Sequence, residues 1–125
     1  MSVSPGYRTY ILEQLAAVPA LNMRRMFGGV GLYSGESFFA LIDDDVLFFK
    51  VDDANRDDYV CRNMKAFMPI PGKASMGYFE VPADVIEEAE ELTRWARRSV
   101  EVAQRAGVKK TKPRKTAVKR KKRSR

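Results

Sequence analysis

The sequence contains no histidine, one cysteine (Cys61), and no apolar run that approaches the length of a membrane span. Without histidine the chain lacks the usual general base, the partner of a Cys–His pair and the commonest zinc ligand. A single cysteine cannot form an internal disulfide, which is typical of proteins from a reducing compartment. We therefore expect a cytoplasmic protein that is not an enzyme and that has no metal, cofactor or membrane anchor.

Acidic residues are absent from residues 107–125, which hold eleven lysines and arginines and a net charge of +11. Residues 1–106 hold twelve lysines and arginines against sixteen aspartates and glutamates, a net charge of −4. The sequence pI of about 9.7 therefore describes the end of the chain and not the rest of it. We expect one domain over residues 1–106, large enough to bury a core, followed by a basic tail over residues 107–125.

The predicted domain is centred on Arg25–Val51, where three apolar runs are separated by two polar breaks. Ser34-Gly35-Glu36 supplies a glycine where a tight hairpin needs positive φ, and Asp43–Asp45 supplies short side chains that tolerate left-handed backbone. The runs are rich in aromatic and branched residues, which favour strands. The segment predicts a three-stranded antiparallel meander. The acidic triplet lacks the residue order of a calcium-binding loop.

Gly28, Gly29 and Gly31 fall within the first of these strands. Glycine weakens a strand unless the backbone conformation or a close neighbour requires it. A phosphate-binding loop is the less favoured interpretation, because the required lysine and following helix are missing. We expect either a β-bulge or the close approach of another backbone segment.

A first helix is predicted to begin at Ser4-Pro5, because serine caps helices and proline suits the first turn. Ile11, Leu15 and Val18 then recur at helical spacing and form one apolar stripe. The helix therefore packs against one face of the meander.

A short helix and two more strands are predicted after the meander. Asp52-Asp53 is expected to cap the helix, which reaches about Asn63 with Val60 and Cys61 facing the core. The strands are Ala66–Ile70 and Met76–Val81, joined by a turn at Pro71-Gly72.

The longest predicted helix begins at a capping box formed by Asp84 and Glu87 and ends at Ala106, before Gly107. Its expected apolar stripe comprises Val85, Ala89, Leu92, Ala96, Val100 and Ala103, with Trp95 beside it.

Arginines Arg94, Arg97 and Arg98 on this helix have two interpretations, an anion-binding patch or an ordinary solvated face. Pairing of Glu90 with Arg94, and of Glu101 with Arg105, favours the solvated face.

Five separated motifs resemble, in the same order, the N-terminal domain of the TfoX/Sxy competence-regulator family. They are Met26–Tyr33 (with Met26, Phe27, Gly28, Gly29, Gly31 and Tyr33), Phe38–Ile42, Lys50–Asn55, Met76–Pro82 and Trp95–Arg98. The resemblance covers about residues 5–106 and implies a two-layer α+β fold in the order α-β-β-β-α-β-β-α, with an antiparallel five-stranded sheet. It also implies a bacterial regulator of DNA-uptake genes. Full-length members have a second, helical domain where this chain has its basic tail.

The tail has no aromatic residue and too little apolar surface to offset the entropy of ordering, so we expect it to be disordered. Dense lysine and arginine bind phosphate backbones with little sequence preference. We predict nucleic-acid binding in preference to a purely solubilising role or lipid binding. The predicted nucleic-acid-binding residues are Lys109, Lys110, Lys112, Arg114, Lys115, Lys119, Arg120, Lys121, Lys122, Arg123 and Arg125.

Two functional hypotheses follow from the sequence. In the first, the protein is a small transcription or competence regulator that its tail holds near DNA, including on the nucleoid. In the second, the domain is an interaction module for a protein partner such as a transcription factor, or for a homodimer. The tail then only raises its local concentration on nucleic acid.

Overall fold

The computed structural model describes residues 3–26, 29–70 and 72–111. The helices are α1 (Pro5–Gln14), α2 (Arg56–Val60), α3 (Ala83–Glu87) and α4 (Ala89–Thr111). The strands are β1 (Leu21–Met26), β2 (Gly29–Ser34), β3 (Ser37–Asp43), β4 (Val46–Lys50), β5 (Ala66–Ile70) and β6 (Lys73–Glu80). The strands form one antiparallel sheet in the order β1-β2-β3-β4-β6-β5. The expected α+β architecture, a sheet layered with helices, is confirmed.

The described sheet has six strands, one more than the sequence predicts. The extra strand is β1, which pairs with β2 from Leu21 opposite Ser34 to Met26 opposite Gly29. Its residues are mainly leucine, asparagine, methionine and arginine, which have little intrinsic preference for strands. The strand forms because the edge of β2 offers hydrogen-bonding partners, a tertiary effect that the local sequence does not display.

Both predicted hairpin turns are confirmed. Gly35 lies between β2 and β3 with φ at 61°. Asp44 and Asp45 join β3 to β4 with φ at 54° and 58°. Two consecutive residues at positive φ match the right-handed twist of the flanking strands, and aspartate tolerates this conformation better than most side chains.

Within the glycine-rich segment, close backbone approach explains Gly29. A Cβ atom added to Gly29 would lie 2.5 Å from the carbonyl oxygen of Ile42 on β3, so a larger residue requires the strands to move apart. The β-bulge lies farther along, where the register shifts between Leu32 and Tyr33. There Leu32 faces Ala40 and Tyr33 faces Phe38, which leaves Phe39 as the extra residue.

The helices bury their apolar side chains on one face of the sheet, which we call the core face. The expected burial of Ile11, Leu15 and Val18 is confirmed, but the predicted helix is too long: α1 ends at Gln14, so Leu15 and Val18 lie beyond it. Its N-cap is confirmed as well: the Ser4 hydroxyl accepts a hydrogen bond from the Tyr7 backbone N–H at 3.3 Å. Each of the other helices adds a buried side chain to the same cluster, namely Tyr59 from α2, Val85 from α3 and Leu92 from α4.

The predicted single helix after β6 is wrong, because α3 and α4 are separated at Glu88, whose backbone is extended (φ −107°, ψ 100°). The capping box does not form. Pro82 occupies the N-cap position, and the Asp84 carboxylate instead accepts a hydrogen bond from Arg62 at 2.9 Å. Ala89, expected within the stripe, is exposed at the start of α4.

The predicted helix end at Ala106 is also wrong, because α4 continues through Gly107 to Thr111. A glycine inside a helix costs only about 1 kcal/mol relative to alanine, and the following valine and lysines continue a helix readily. Gly107 therefore does not mark the boundary of the last helix.

The expected burial of Cys61 and Val60 is wrong: Cys61 is exposed, and the Val60 side chain is 51% exposed. Helix α2 is shorter than predicted, and Asn55, not Asp52-Asp53, lies at its N-cap. Tyr59 takes the core position, with its ring centroid 4.9 Å from that of Trp95. A helix of five residues presents little more than one side chain to the core, and the aromatic ring buries the most area.

Exposure of Cys61 predicts that a thiol reagent modifies the native protein nearly as fast as the denatured protein, because access no longer limits the reaction. The measurement is the rate of absorbance change with a chromogenic disulfide reagent, with and without denaturant. Strong protection in the native state would contradict the placement of α2.

Truncation of Leu92 to alanine is expected to lower the free energy of unfolding by about 2–5 kcal/mol, since it leaves a cavity in the core. Glu101→Ala, on the exposed side of α4, serves as the control and should change stability by less than about 0.5 kcal/mol. Chemical denaturation of both variants measures the difference. Equal effects would show that α4 packs through another face.

Candidate functional site

The basic tail lies mostly outside the described residues. Lys109 and Lys110 belong to the last part of α4. The other predicted nucleic-acid-binding residues, from Lys112 to Arg125, fall beyond residue 111, where the description ends.

The motif residues that the structure describes lie on both faces of the sheet and do not form one site. Met26 ends β1, Gly29 begins β2, and Phe27 and Gly28 lie outside the described residues. Gly31 is buried in β2, and Tyr33 projects from the face of the sheet opposite the core.

Trp95 lies on the other side of the sheet from Tyr33, inside the core. Its indole N–H donates to a Glu91 carboxylate oxygen at 3.0 Å, so its role is structural.

The arginines of α4 are largely paired with acids. Arg94 forms an ion pair with Glu91, Arg98 with Asp58, and Arg105 with Asp52 at 3.0 Å. The hydrogen bond from Arg94 lowers the pKa of Glu91, with a smaller contribution from Trp95. Neither expected pair, Glu90–Arg94 or Glu101–Arg105, is the one that forms. The pairing nevertheless supports a solvated helix face over an anion-binding patch.

Two of these partners lie after β4: Asp52 in the segment that leads to α2, and Asp58 in α2 itself. Arg98 also donates to the backbone oxygen of Ala54 at 3.2 Å. On the buried side of the same helix, the Ser99 hydroxyl donates to the backbone oxygen of Lys50 at 2.8 Å. These contacts hold α4 against the end of β4. They also pair the arginines with protein groups, so these side chains are less available to bind a phosphate.

The second face of the sheet, which we call the open face, is aromatic. Strand pairing and side-chain alternation place its residues together, and most of them are half-buried against one another. In the described part of the chain, every helix contributes its buried side chains to the core face and none to this one. The open face comprises Asn22, Arg24, Gly31, Tyr33, Phe38, Leu41, Asp43, Val46, Phe48, Lys50, Tyr78 and Glu80.

One row of the open face is a chain of ring contacts that ends in a cation on each side. The Arg24 guanidinium lies 4.9 Å from the centroid of the Tyr33 ring, which stacks on Phe38 at 5.1 Å. Phe38 lies 5.8 Å from Tyr78, and the Lys50 ammonium lies 4.9 Å from the Tyr78 centroid. The Tyr33 and Tyr78 rings thus each have Phe38 and a cation as neighbours.

Sequence reasoning missed this face, although a signal for it is present. Three strands contain adjacent aromatic residues: Phe38-Phe39, Phe48-Phe49 and Tyr78-Phe79. Because neighbouring strand residues point to opposite faces, each doublet places one aromatic ring on the core face and one on the open face. The bulge at Phe39 preserves this division, with Phe39 fully buried and Phe38 half-buried.

The chemistry of this surface suits binding. Within the described residues, no three histidine, cysteine, aspartate or glutamate side chains are grouped so that they could hold a metal ion. Aromatic rings and arginine are the residue types enriched at protein interfaces. No helix in the described part is both long and apolar enough to cross a bilayer.

Partial burial on the open face raises the pKa of the Tyr78 hydroxyl from its ordinary value of 10.0 to about 12, with a smaller contribution from Tyr33. The pKa is higher in the folded state, so the neutral phenol stabilises the fold fully below pH 10 and loses this effect towards pH 12. Burial raises the pKa of Tyr7 and Tyr59 as well, so ultraviolet titration of phenolate should show a late phase that Tyr78→Phe reduces by one phenol. A titration unchanged by that substitution would contradict the burial of Tyr78.

Comparison with known proteins identifies the family of this chain. The TfoX N-terminal domain family matches residues 13–103, which run from the last turn of α1 into α4 and include all the described strands. No curated protein matched the chain. The match covers well over half of the 125 residues and agrees with the resemblance of the five sequence motifs. The chain belongs to the TfoX N-terminal domain family.

Proposed function

We propose that the protein is a small regulator of the transcription or competence type that associates with DNA through its basic tail. Family membership supports a small regulatory protein of this type. The observation on which DNA association depends is the division of charge, −4 over residues 1–106 and +11 over residues 107–125. A chain divided in this way directs a polyanion to one end.

Ion pairing within the folded part supports the same assignment. The arginines at positions 56, 62, 94, 98 and 105 each form a salt bridge with an aspartate or glutamate. Binding of a phosphate backbone to these side chains would have to break existing pairs on a surface of net negative charge. The tail, which has no acid, binds phosphates without that cost.

The mode of binding follows from the charge density. Lysine and arginine that neutralise phosphates release condensed counterions, so affinity falls steeply with salt. Reading base edges requires side chains held in fixed geometry, which the tail composition does not favour. The tail therefore holds the protein near DNA without selecting a sequence. Regulatory specificity comes from a second contact made by the folded domain.

The alternative is an interaction module whose tail has no regulatory role on DNA. The open face favours this alternative, because aromatic residues on the second side of an antiparallel sheet are typical of a surface that another protein covers. The two functions are compatible, and they differ in which part of the chain determines the partner.

The DNA proposal predicts a salt slope. If about half of the eleven cations meet phosphates, log affinity for duplex DNA falls with log salt at a slope near −5. Removal of residues 112–125 leaves Lys109 and Lys110, so the slope should be no steeper than about −2. Fluorescence anisotropy with two unrelated duplexes at several salt concentrations measures both.

The matched control keeps the chain length and replaces the lysines and arginines of residues 112–125 with glutamine. This variant should bind as weakly as the truncated chain. Salt-insensitive or sequence-selective binding by either variant would place DNA recognition in the folded domain and overturn the proposal.

A further inference from the structure

We propose that the open face is the interface of a homodimer, in which two sheets stack face to face about a two-fold axis that runs along β3. The partner is a second copy of this chain. This inference concerns the folded domain and does not depend on whether the tail binds DNA.

The open face has the apolar composition of a surface that another protein covers. Antiparallel sheets with one solvated side usually alternate apolar residues inward with polar residues outward. Here the outward positions of the central strands β3 and β4 include Phe38, Leu41 and Phe48. The Phe48 ring also contacts Phe67 of β5, with ring centroids 4.9 Å apart, so apolar surface extends towards the far edge. Contiguous apolar surface of this kind marks an interaction site.

The middle row of the open face is complementary to itself. Strand register aligns Arg24, Gly31, Leu41, Phe48 and Glu80 across five neighbouring strands. A two-fold axis above Leu41 brings Leu41 onto its own copy. It places Phe48 of each protomer over the gap at Gly31 of its partner, and Arg24 over Glu80. An isologous interface requires this reciprocity: if a residue of one copy contacts a second residue of its partner, the same contact is repeated with the two copies exchanged.

The row of ring contacts obeys the same symmetry. Asn22, Tyr33 and Phe38 are in register, and Lys50 pairs with Tyr78. The same axis passes above Phe38, so the two Phe38 rings meet. Lys50 then faces the Tyr33 hydroxyl of the other copy, and the side-chain carbonyl of Asn22 faces the Tyr78 hydroxyl, so each meeting allows a hydrogen bond.

The third row limits the interface at the opposite end of the strands. Asp43 lies in register with Val46 on the same face and next to the turn at Asp44 and Asp45. The axis would bring the two Asp43 carboxylates together, where like charges repel. The proposed interface is therefore confined to the middle row and the row of ring contacts, and the acidic turns stay in solvent.

Unpaired nucleic-acid bases fit the same face less well. A base stacks on the broad face of an aromatic ring. Here Arg24 and Phe38 both contact the Tyr33 ring, and Lys50 and Phe38 both contact the Tyr78 ring. The two cations of the face, Arg24 and Lys50, are accompanied by Glu80, and the surrounding domain has a net charge of −4. These features favour a protein surface of the same kind.

Charge reversal provides the test, because Arg24 and Glu80 of one chain lie four strand spacings apart, about 19 Å, and cannot pair within a protomer. Sedimentation equilibrium of the nuclease-treated full chain should give twice the 14.2 kDa protomer mass. Arg24→Glu and Glu80→Arg should each raise the dimer dissociation constant about a hundredfold, since like charges then face each other twice. The double variant should restore dimerisation.

Arg97→Glu and Glu101→Arg on exposed α4 are matched controls and should leave the mass unchanged. Circular dichroism confirms that each variant is folded. The proposal is overturned if the nuclease-treated chain is monomeric up to its solubility limit, or if the double variant is no more dimeric than the single ones. A higher mass that disappears with nuclease would assign the association to nucleic acid.

Discussion

The packing of α4 across the centre of the sheet is the contact on which the rest of the structure depends. Leu92 and Ala96 are fully buried against a core that includes Phe39 and Ala40 of β3. The β-bulge directs both of these consecutive residues towards the core, so β3 presents more side-chain surface to α4. Because all described helices share this one face, the opposite face is left to its own aromatic side chains.

Much of the fold can be predicted from local chemistry. The serine–proline helix start, the glycine turn and the aspartate turn each require a particular backbone conformation that few other residues adopt. The errors arise where tertiary contacts decide. Arg62 donates a hydrogen bond to the Asp84 carboxylate, which a capping box would need. Tyr59 occupies the core position predicted for Cys61. Strand β1 forms on the edge of β2 despite weak strand propensity.

The candidate surfaces are predictable to different degrees. The charge of the tail is evident from composition alone, whereas the pairing of Arg98 with Asp58 and of Arg105 with Asp52 joins residues far apart in the chain. The aromatic doublets indicate rings on both faces of the sheet, but the proposed self-complementarity of the open face depends on strand order. No local pattern reveals that β6 lies between β4 and β5.

The two proposals assign different partners to the two parts of the chain: a polyanion to the tail, and a protein surface to the aromatic face of the domain. A nuclear magnetic resonance titration of the labelled full chain with duplex DNA tests this division most directly. The account predicts chemical-shift changes confined to residues beyond about Gly107, which weaken as salt is added. Shift changes centred on Tyr33, Phe38 and Tyr78, or on Arg94 and Arg98, would contradict it.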